Sequence, residues 1–167
     1  MLGVMLSVIA DYPNYQFVIA GAPSQDPSFY QTFIHTGQVK LIMNRTYDIL
    51  SLANAALVTS GTATLEAALF KVPQVVCYKG GRISYEIAKR IIKLDYISLV
   101  NLVMDKKVVT ELIQNEFNTT TLKAALNELL DDNHRATLFL DYYDLEQKLG
   151  GAGASKKTAQ HIVDYVS

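Results

Sequence analysis

Short runs of apolar residues alternate along the chain with segments whose apolar positions recur at helical spacing. The runs have the length of strands, and continuous apolar strands are typical of a parallel sheet that is buried on both faces. This alternation predicts βα units and therefore an α/β domain in which helices sandwich a parallel sheet. The predicted strands are 16–21, 39–43, 55–59, 74–78 and a short strand near 96–99, and the predicted helices are 2–11, 26–36, 46–53, 63–71 and 83–93.

Beyond Asn101 the pattern predicts helices only. We therefore expect one domain over residues 1–167, closed by a helical C-terminal tail that begins at about 107. A doubly wound sheet commonly begins with a strand, whereas this chain begins with a predicted helix, so we expect the first strand to be missing and the chain to be a piece of a longer protein. The glycines of GGAGAS (150–155) predict a hinge, with Ser155 as a helix cap. The helices predicted for the tail are 107–114, 119–131, 134–149 and 155–166.

Composition narrows the classes of function. The chain has 167 residues, of which 50% are hydrophobic, so one domain can bury a sizeable core. Its 15 basic and 16 acidic side chains leave a net charge of −1, so no overall field attracts nucleic acid. No apolar stretch has the ~20 residues that a membrane-spanning helix requires, and the N-terminal run lacks the basic start of a signal peptide. The single cysteine, Cys77, lies in a predicted buried strand, which favours an inert thiol in a reducing cytosol.

The stretch VTSGTATLEAALF (58–70) joins a predicted strand to a predicted helix and is the main candidate for a binding site. Ligands of open α/β sheets bind beyond the carboxyl ends of the strands. Gly61 allows a tight turn there, and the free amides at the start of the helix favour an anion. Because the hydroxyls of Ser60, Thr62 and Thr64 can add donors, the turn suits a diphosphate without a metal ion.

Glu66 lies one helical turn further on, where its carboxylate would repel a phosphate group. We expect it to accept hydrogen bonds from the two hydroxyls of a ribose instead. The residues alone leave a simpler interpretation open, in which Ser60 or Thr62 caps the helix and Glu66 complements the helix dipole.

Four further segments hold candidates, each with an alternative. Thr46 and Tyr47 follow a predicted strand and can contact a base or sugar, and the alternative, which the residues favour, is a helix start with Thr46 as its cap. Asn101 lies at a strand-to-helix change and suits either ligand binding or a turn. The loop 79–81 suits phosphate contact or an ordinary turn. The amphipathic basic helix 82–93 suits an anionic membrane surface or a solvated face with internal ion pairs.

Four segments follow one another in a specific order: VTSGTATLEAAL (58–69), VPQVVCYK (72–79), IAKRIIKLDYISL (87–99) and GGAGAS (150–155). Each is a weak signal alone, but together they resemble the lipid-A-disaccharide synthase family over nearly the whole chain. One departure is Val100, where many members of that family have proline, and it leaves the form of the local turn open.

The resemblance implies an inverting glycosyltransferase with two Rossmann-like domains that face a cleft, the GT-B arrangement. That family transfers diacylglucosamine from its UDP carrier to 2,3-diacylglucosamine 1-phosphate (lipid X) in lipid A biosynthesis and releases UDP. By resemblance this chain is the carboxy-terminal, donor-binding half, with the catalytic amino-terminal domain absent. We therefore expect the chain alone to be inactive and to bind UDP weakly if at all.

Carried over residue by residue, the resemblance implies that Ser60, Gly61 and Thr62 line the diphosphate. Glu66 matches the family's functionally important glutamate, and Asn101 matches its functional asparagine. We expect no catalytic residue, metal ion or cofactor in this chain. The resulting set of substrate-binding residues is Ser60, Gly61, Thr62, Ala63, Thr64, Glu66, Asn101, Thr46 and Tyr47.

The resemblance also implies partners and a location. The implied donor is UDP-diacylglucosamine, and the acceptor lipid X is expected to bind through the missing domain. Because both substrates carry acyl chains, the resemblance also favours the membrane interpretation of helix 82–93, as a contact with the cytoplasmic face of the inner membrane. A homodimer that exchanges carboxy-terminal elements is compatible with the family, and nucleic acid is not expected. Two other functions stay open: half of a non-hydrolysing UDP-N-acetylglucosamine 2-epimerase, and a nucleotide-binding module without catalysis.

Overall fold

Parallel strands with helices between them form the fold in a computed structural model, which describes residues 1–81, 95–151 and 153–166. The predicted α/β class is confirmed, with parallel sheets flanked by helices and a helix at the C-terminus. The strands are β1 (Phe17–Gly21), β2 (Val39–Met43), β3 (Ala56–Thr59), β4 (Gln74–Tyr78) and β5 (Thr110–Ile113). The helices are α1 (Leu2–Leu6), α2 (Pro27–Gln31), α3 (Thr46–Leu52), α4 (Ala63–Leu69), α5 (Leu99–Met104), α6 (Thr119–Leu129), α7 (Asp132–Lys148) and α8 (Ala154–Val166), with 3₁₀ turns at Ile9–Asp11 and Gln114–Glu116.

The strands pair in two sheets. β1 pairs with β2, and β4 lies between β3 and β5 in the second sheet. Every pair is parallel, with Gly21 opposite Met43, Thr59 opposite Cys77 and Cys77 opposite Leu112. The carboxyl ends of the strands in each sheet therefore lie at one edge, which is where open α/β sheets bind their ligands.

Strand β4 is the centre of the core. Its residues from Gln74 to Cys77 are all fully buried. Because successive side chains of a strand point to opposite faces, this burial means that both faces of β4 are covered. Helix α4 packs against β3 and β4, while α6 packs against β4 and β5. The continuous apolar run QVVCY is thus explained by burial on two sides, as the sequence predicts.

Two predicted elements near Asn101 are wrong. The short strand near 96–99 does not form, because Ser98 is the N-cap of α5. Its hydroxyl accepts a hydrogen bond from the backbone N–H of Asn101 at 3.2 Å. The predicted helix 107–114 is replaced by β5, which pairs with β4. β-Branched residues suit a strand, and β5 supplies acceptors and donors to an edge of β4 that would otherwise lie unpaired. The tail is therefore helical only from α6 onward.

Other predicted helices differ in length or fall outside the described residues. The predicted helix 2–11 divides into α1 and the 3₁₀ turn at Ile9–Asp11, and the predicted helix 26–36 is represented by the shorter α2. The predicted basic helix with Arg82, Lys89 and Lys93 lies outside the described residues. Among the helices that are described, none is both long and apolar enough to cross a membrane.

The C-terminal helix α8 follows the predicted glycine segment. Gly150, Gly151 and Gly153 have φ values of 79°, 67° and 104°, a region that residues with a Cβ rarely adopt. The hinge stays a prediction, while the cap assignment to Ser155 is wrong because α8 already begins at Ala154. All residues of α8 are solvent-exposed.

Candidate functional site

The candidate site lies at the carboxyl edge of β3 and β4. Ser60, Gly61 and Thr62 follow β3 directly, and the loop 79–81 follows β4. Since the last residue of β3 pairs with Cys77, the two segments continue from neighbouring positions of the same sheet edge. Gly61 has a φ of 144°, so a residue with a Cβ would strain this turn even though the space beside it is open.

The start of α4 presents backbone donors. The amides of Gly61, Thr62 and Ala63 have no hydrogen-bond acceptor within the part of the chain that the structure describes. Thr62 occupies the N-cap position, but its side chain makes no capping hydrogen bond and its backbone is already helical, with φ −60° and ψ −27°. Of the simpler interpretation, the N-cap position of Thr62 and the place of Glu66 in the first turn are confirmed, but no hydroxyl of the described residues makes a capping hydrogen bond.

The three predicted hydroxyl donors differ in their surroundings. The Ser60 hydroxyl donates to the Ile97 carbonyl at 2.9 Å. The Thr64 hydroxyl is fully buried and donates to the Gly61 carbonyl at 2.8 Å. A hydroxyl has one proton to donate, so both of these groups support the turn itself. Thr62 is exposed, and its hydroxyl has no partner among the residues described.

Glu66 lies in the first turn of α4, shortly after the free amides of Gly61, Thr62 and Ala63. Its side chain is half-buried. Within residues 1–81, 95–151 and 153–166, no hydrogen bond or ion pair engages its carboxylate. The carboxylate is therefore an acceptor that a bound ligand can use.

Asn101 is fully buried, and protein groups occupy its side-chain amide. Its Oδ1 accepts from the amides of Val108 and Val109 at 2.8 and 2.9 Å. Its Nδ2 donates to the Val109 carbonyl at 2.9 Å and to Glu111 Oε1 at 2.8 Å. Of the two interpretations left open for Asn101, this geometry favours the turn, because the side chain links α5 to β5.

Glu111, on β5, is a polar residue of this region that the sequence analysis missed. Its Oε2 accepts from the Ile97 amide and its Oε1 from the Ser98 amide, each at 2.9 Å, in addition to Asn101. The signal was a lone carboxylate inside the apolar run VVTELI (108–113), a segment that was predicted to be a helix.

Thr46 and Tyr47 lie at the edge of the other sheet. Thr46 is the first residue of α3, and the cap position belongs to Arg45, so the alternative role of Thr46 as a cap is wrong. The Tyr47 ring is 60% exposed and stacks on Phe70, with 5.4 Å between the ring centroids. These two residues follow β2, whereas Ser60 to Glu66 follow β3 in the three-stranded sheet.

Lys79 and Cys77 also lie near this edge of the sheet. Lys79 is exposed, and the next residue of its loop, Gly80, accepts a hydrogen bond from Gln114 Nε2 at 3.4 Å. Burial raises the pKa of the Cys77 thiol to about 12, so the thiolate that would react is scarce at neutral pH.

Comparison with known proteins gives one consistent result. Residues 2–163 match the family model described as Lipid-A-disaccharide synthetase. The chain is 33% identical over 160 residues to a lipid-A-disaccharide synthase of Geobacter sulfurreducens, covering 92% of the chain and 41% of that relative. It is 34% identical over 165 residues to one of Alcanivorax borkumensis, covering 96% and 43%. It is 39% identical over 126 residues to one of Nitrosococcus oceani, covering 75% and 32%.

Proposed function

Because this chain belongs to the lipid-A-disaccharide synthetase family, we propose that it forms the nucleotide-sugar-binding part of a lipid-A-disaccharide synthase. It spans about two fifths of the length of most of these curated relatives, as the 41% and 43% coverages indicate. The proposed reaction transfers diacylglucosamine from UDP to lipid X in lipid A biosynthesis. The chain would bind the UDP portion of the donor.

The observation that carries this proposal is the uncapped start of α4. Three consecutive amides, from Gly61 to Ala63, need an acceptor, and they lie at the sheet edge where α/β folds bind ligands. A diphosphate supplies oxygens with negative charge, which the positive end of the helix dipole also favours. The exposed Thr62 hydroxyl adds one donor, while Ser60 and Thr64 hold the turn in shape.

Glu66 is proposed to bind the ribose of the nucleotide. Its carboxylate is half-buried and without a partner among the described side chains, so it can accept from two neighbouring hydroxyls. Lys79, at the end of the adjacent strand, supplies a positive charge on the same edge. During transfer, the amides and this ammonium group would stabilise the charge that develops on departing UDP.

The remaining proposals concern partners. Lipid X, a peripheral contact with the cytoplasmic face of the inner membrane and a homodimer follow from the family and not from a contact in the structure. The relatives named above are all lipid-A-disaccharide synthases, which favours this function over a 2-epimerase or a module without catalysis.

Titration of the ¹⁵N-labelled chain with UDP and with uridine tests the proposal. We expect UDP to shift the amide resonances of Gly61, Thr62 and Ala63, and uridine, which lacks phosphate, to shift them much less. UDP shifts confined to other regions, or equal effects of the two ligands, would contradict a diphosphate site at this turn.

The Glu66→Gln variant tests the ribose contact with the same measurement. We expect it to weaken UDP binding by about fivefold, since a hydrogen bond to a charged group contributes on the order of 1.5 kcal/mol or less at a half-exposed position. The matched ligand is the dideoxy form of UDP, which lacks both ribose hydroxyls. Wild type and variant should bind this ligand equally, and an equal loss for both ligands would refute the assignment.

A further inference from the structure

One peptide group joins the start of α4 to a carboxylate on β5. The Ile97 carbonyl accepts from the Ser60 hydroxyl at 2.9 Å, and the Ser98 amide donates to Glu111 Oε1 at 2.9 Å. These two atoms belong to the same peptide unit, between Ile97 and Ser98. A peptide unit is planar, and in the trans form its C=O and N–H point in opposite directions. No described peptide bond is cis, so Ser60 and Glu111 hold this unit from opposite sides.

Glu111 is itself firmly oriented. Besides the Ser98 amide, it accepts from the Ile97 amide at 2.9 Å and from Asn101 Nδ2 at 2.8 Å. Asn101 is fully buried and bonded to the backbone that leads into β5. The carboxylate therefore has donors from three groups, and its position is set by a strand that pairs with the buried β4.

Successive hydrogen bonds that share a peptide unit strengthen one another. A negatively charged acceptor on the Ser98 amide polarises the peptide unit and makes the Ile97 carbonyl a better acceptor. That carbonyl then fixes the Ser60 side chain, and Ser60 immediately precedes the three free amides. The orientation of the amides thus depends on a carboxylate that does not belong to the turn.

We propose that Glu111 is a positioning residue for nucleotide binding, which it serves through the Ile97–Ser98 peptide and the Ser60 hydroxyl. This inference rests on the proposed function, because it assigns a role relative to the same diphosphate site. Glu111 does not contact the ligand. It holds the peptide that holds Ser60, and so keeps the amides of Gly61, Thr62 and Ala63 directed at one point.

Replacement by glutamine disturbs this arrangement without changing the size of the side chain. The Glu111→Gln amide has one oxygen for the Ser98 and Asn101 donors, and its NH₂ group then faces the Ile97 amide as donor against donor. The lost charge also weakens the bonds that remain. We expect the peptide to rotate and the Ser60 hydroxyl to lose its acceptor.

A double-mutant cycle tests the proposal, with UDP affinity measured by NMR titration of the whole chain. We expect Glu111→Gln and Ser60→Ala each to weaken binding by about tenfold, comparable to the loss of one hydrogen bond to a charged or well-oriented group. Because both act through one peptide, the double variant should be no weaker than the more affected single variant. If the two fold-losses in UDP affinity multiply in the double variant, the two residues act independently, and the proposed coupling of Glu111 to Ser60 is overturned.

The matched control is Asp131→Asn. Asp131 is also a carboxylate that accepts two backbone amides, from Asn133 and His134, but it lies before α7. We expect this variant to bind UDP like wild type. If Asp131→Asn weakened binding as much as Glu111→Gln does, the effect would reflect general loss of stability, and the positioning role would be rejected.

A measurement without ligand separates this inference from the proposed function. In the free protein, Glu111→Gln should shift the amide resonances of Gly61, Thr62 and Ala63, and Ser60→Ala should accelerate hydrogen exchange at the Ser98 amide. Wild type that failed to bind UDP would refute the proposed function alone. Unchanged resonances in the first variant, or unchanged exchange in the second if the first does not fold, would overturn the coupling itself.

Discussion

Helices α4 and α7 begin in opposite ways. The first amides of any helix lack an acceptor within the helix. At α7, the carboxylate of Asp131 accepts from the amides of Asn133 and His134 at 3.0 Å each. At α4, the side chain of Thr62 makes no such bond, and the amides of Thr64 and Leu65 donate instead to the carbonyls of Gly61 and Thr62 at 3.1 and 3.0 Å. The amides of Gly61, Thr62 and Ala63, which come just before them, have no acceptor among the residues that the structure describes.

The position of each helix in the fold accounts for the difference. Helix α7 begins in a connection between two helices, where a side chain is the available acceptor. Helix α6 also begins with a cap, since Asn118 accepts from the amides of Thr120 and Thr121. Helix α4 begins at the carboxyl end of β3, where a ligand can take the place of the cap. A side-chain cap contributes about 1 kcal/mol to stability, so its absence there favours a binding function.

The strongest test of this comparison is to give α4 a cap. We expect Thr62→Asp to weaken UDP binding by more than about tenfold, because the new carboxylate lies beside the free amides of Gly61 to Ala63 and repels the diphosphate. NMR titration measures the loss. The neutral variant Thr62→Asn is the control. If the Asp variant binds UDP no worse than the Asn variant, no anionic group of the ligand binds at the start of α4.

A smaller effect is expected on stability. Asp131→Ala should lower the free energy of unfolding by about 1 kcal/mol, because two amides at the start of α7 lose their acceptor. Thr62→Ala should change it by less than about 0.5 kcal/mol, because no capping bond is lost. Urea denaturation followed by circular dichroism measures both values. Equal losses would mean that Thr62 caps α4 in solution, and the contrast between the two helices would disappear.

The smallest effect concerns pH. Asp26 caps α2, and hydrogen bonds from Ser28 hold its pKa below the ordinary value of 3.8. A carboxylate with a lowered pKa stabilises the folded state above its unfolded pKa, and this contribution disappears as the pH falls through the folded pKa. We expect the protection of the α2 amides, measured relative to their intrinsic exchange rate, to fall below pH 3.8. Helix α4 has no carboxylate cap, so its amides should show no comparable loss of protection. The variant Asp26→Asn should remove this pH dependence, and its persistence would assign the effect to another group.

Local patterns predicted most of the sheet and the position of the candidate site. Four strands lie within one residue of their predicted bounds, because continuous apolar runs such as QVVCY carry the signal for burial on two faces. The turn at Gly61 was also predictable, since a glycine between an apolar run and a helical segment marks a strand-to-helix junction. The strand β5 was not predictable in the same way, because VVTELI fits a helix or a strand until β4 offers its edge.

The sequence by itself determined the α/β class, the order of the βα units and the place of the turn, because hydrophobic period and turn chemistry act over neighbouring residues. Only the tertiary structure decided which polar groups remain free for a ligand. The Ser60 hydroxyl is bonded to a carbonyl 37 residues further along the chain, and Asn101 is buried against Glu111. A hydrogen bond uses up a donor wherever its acceptor comes from, so the availability of a side chain depends on contacts that local pattern does not encode.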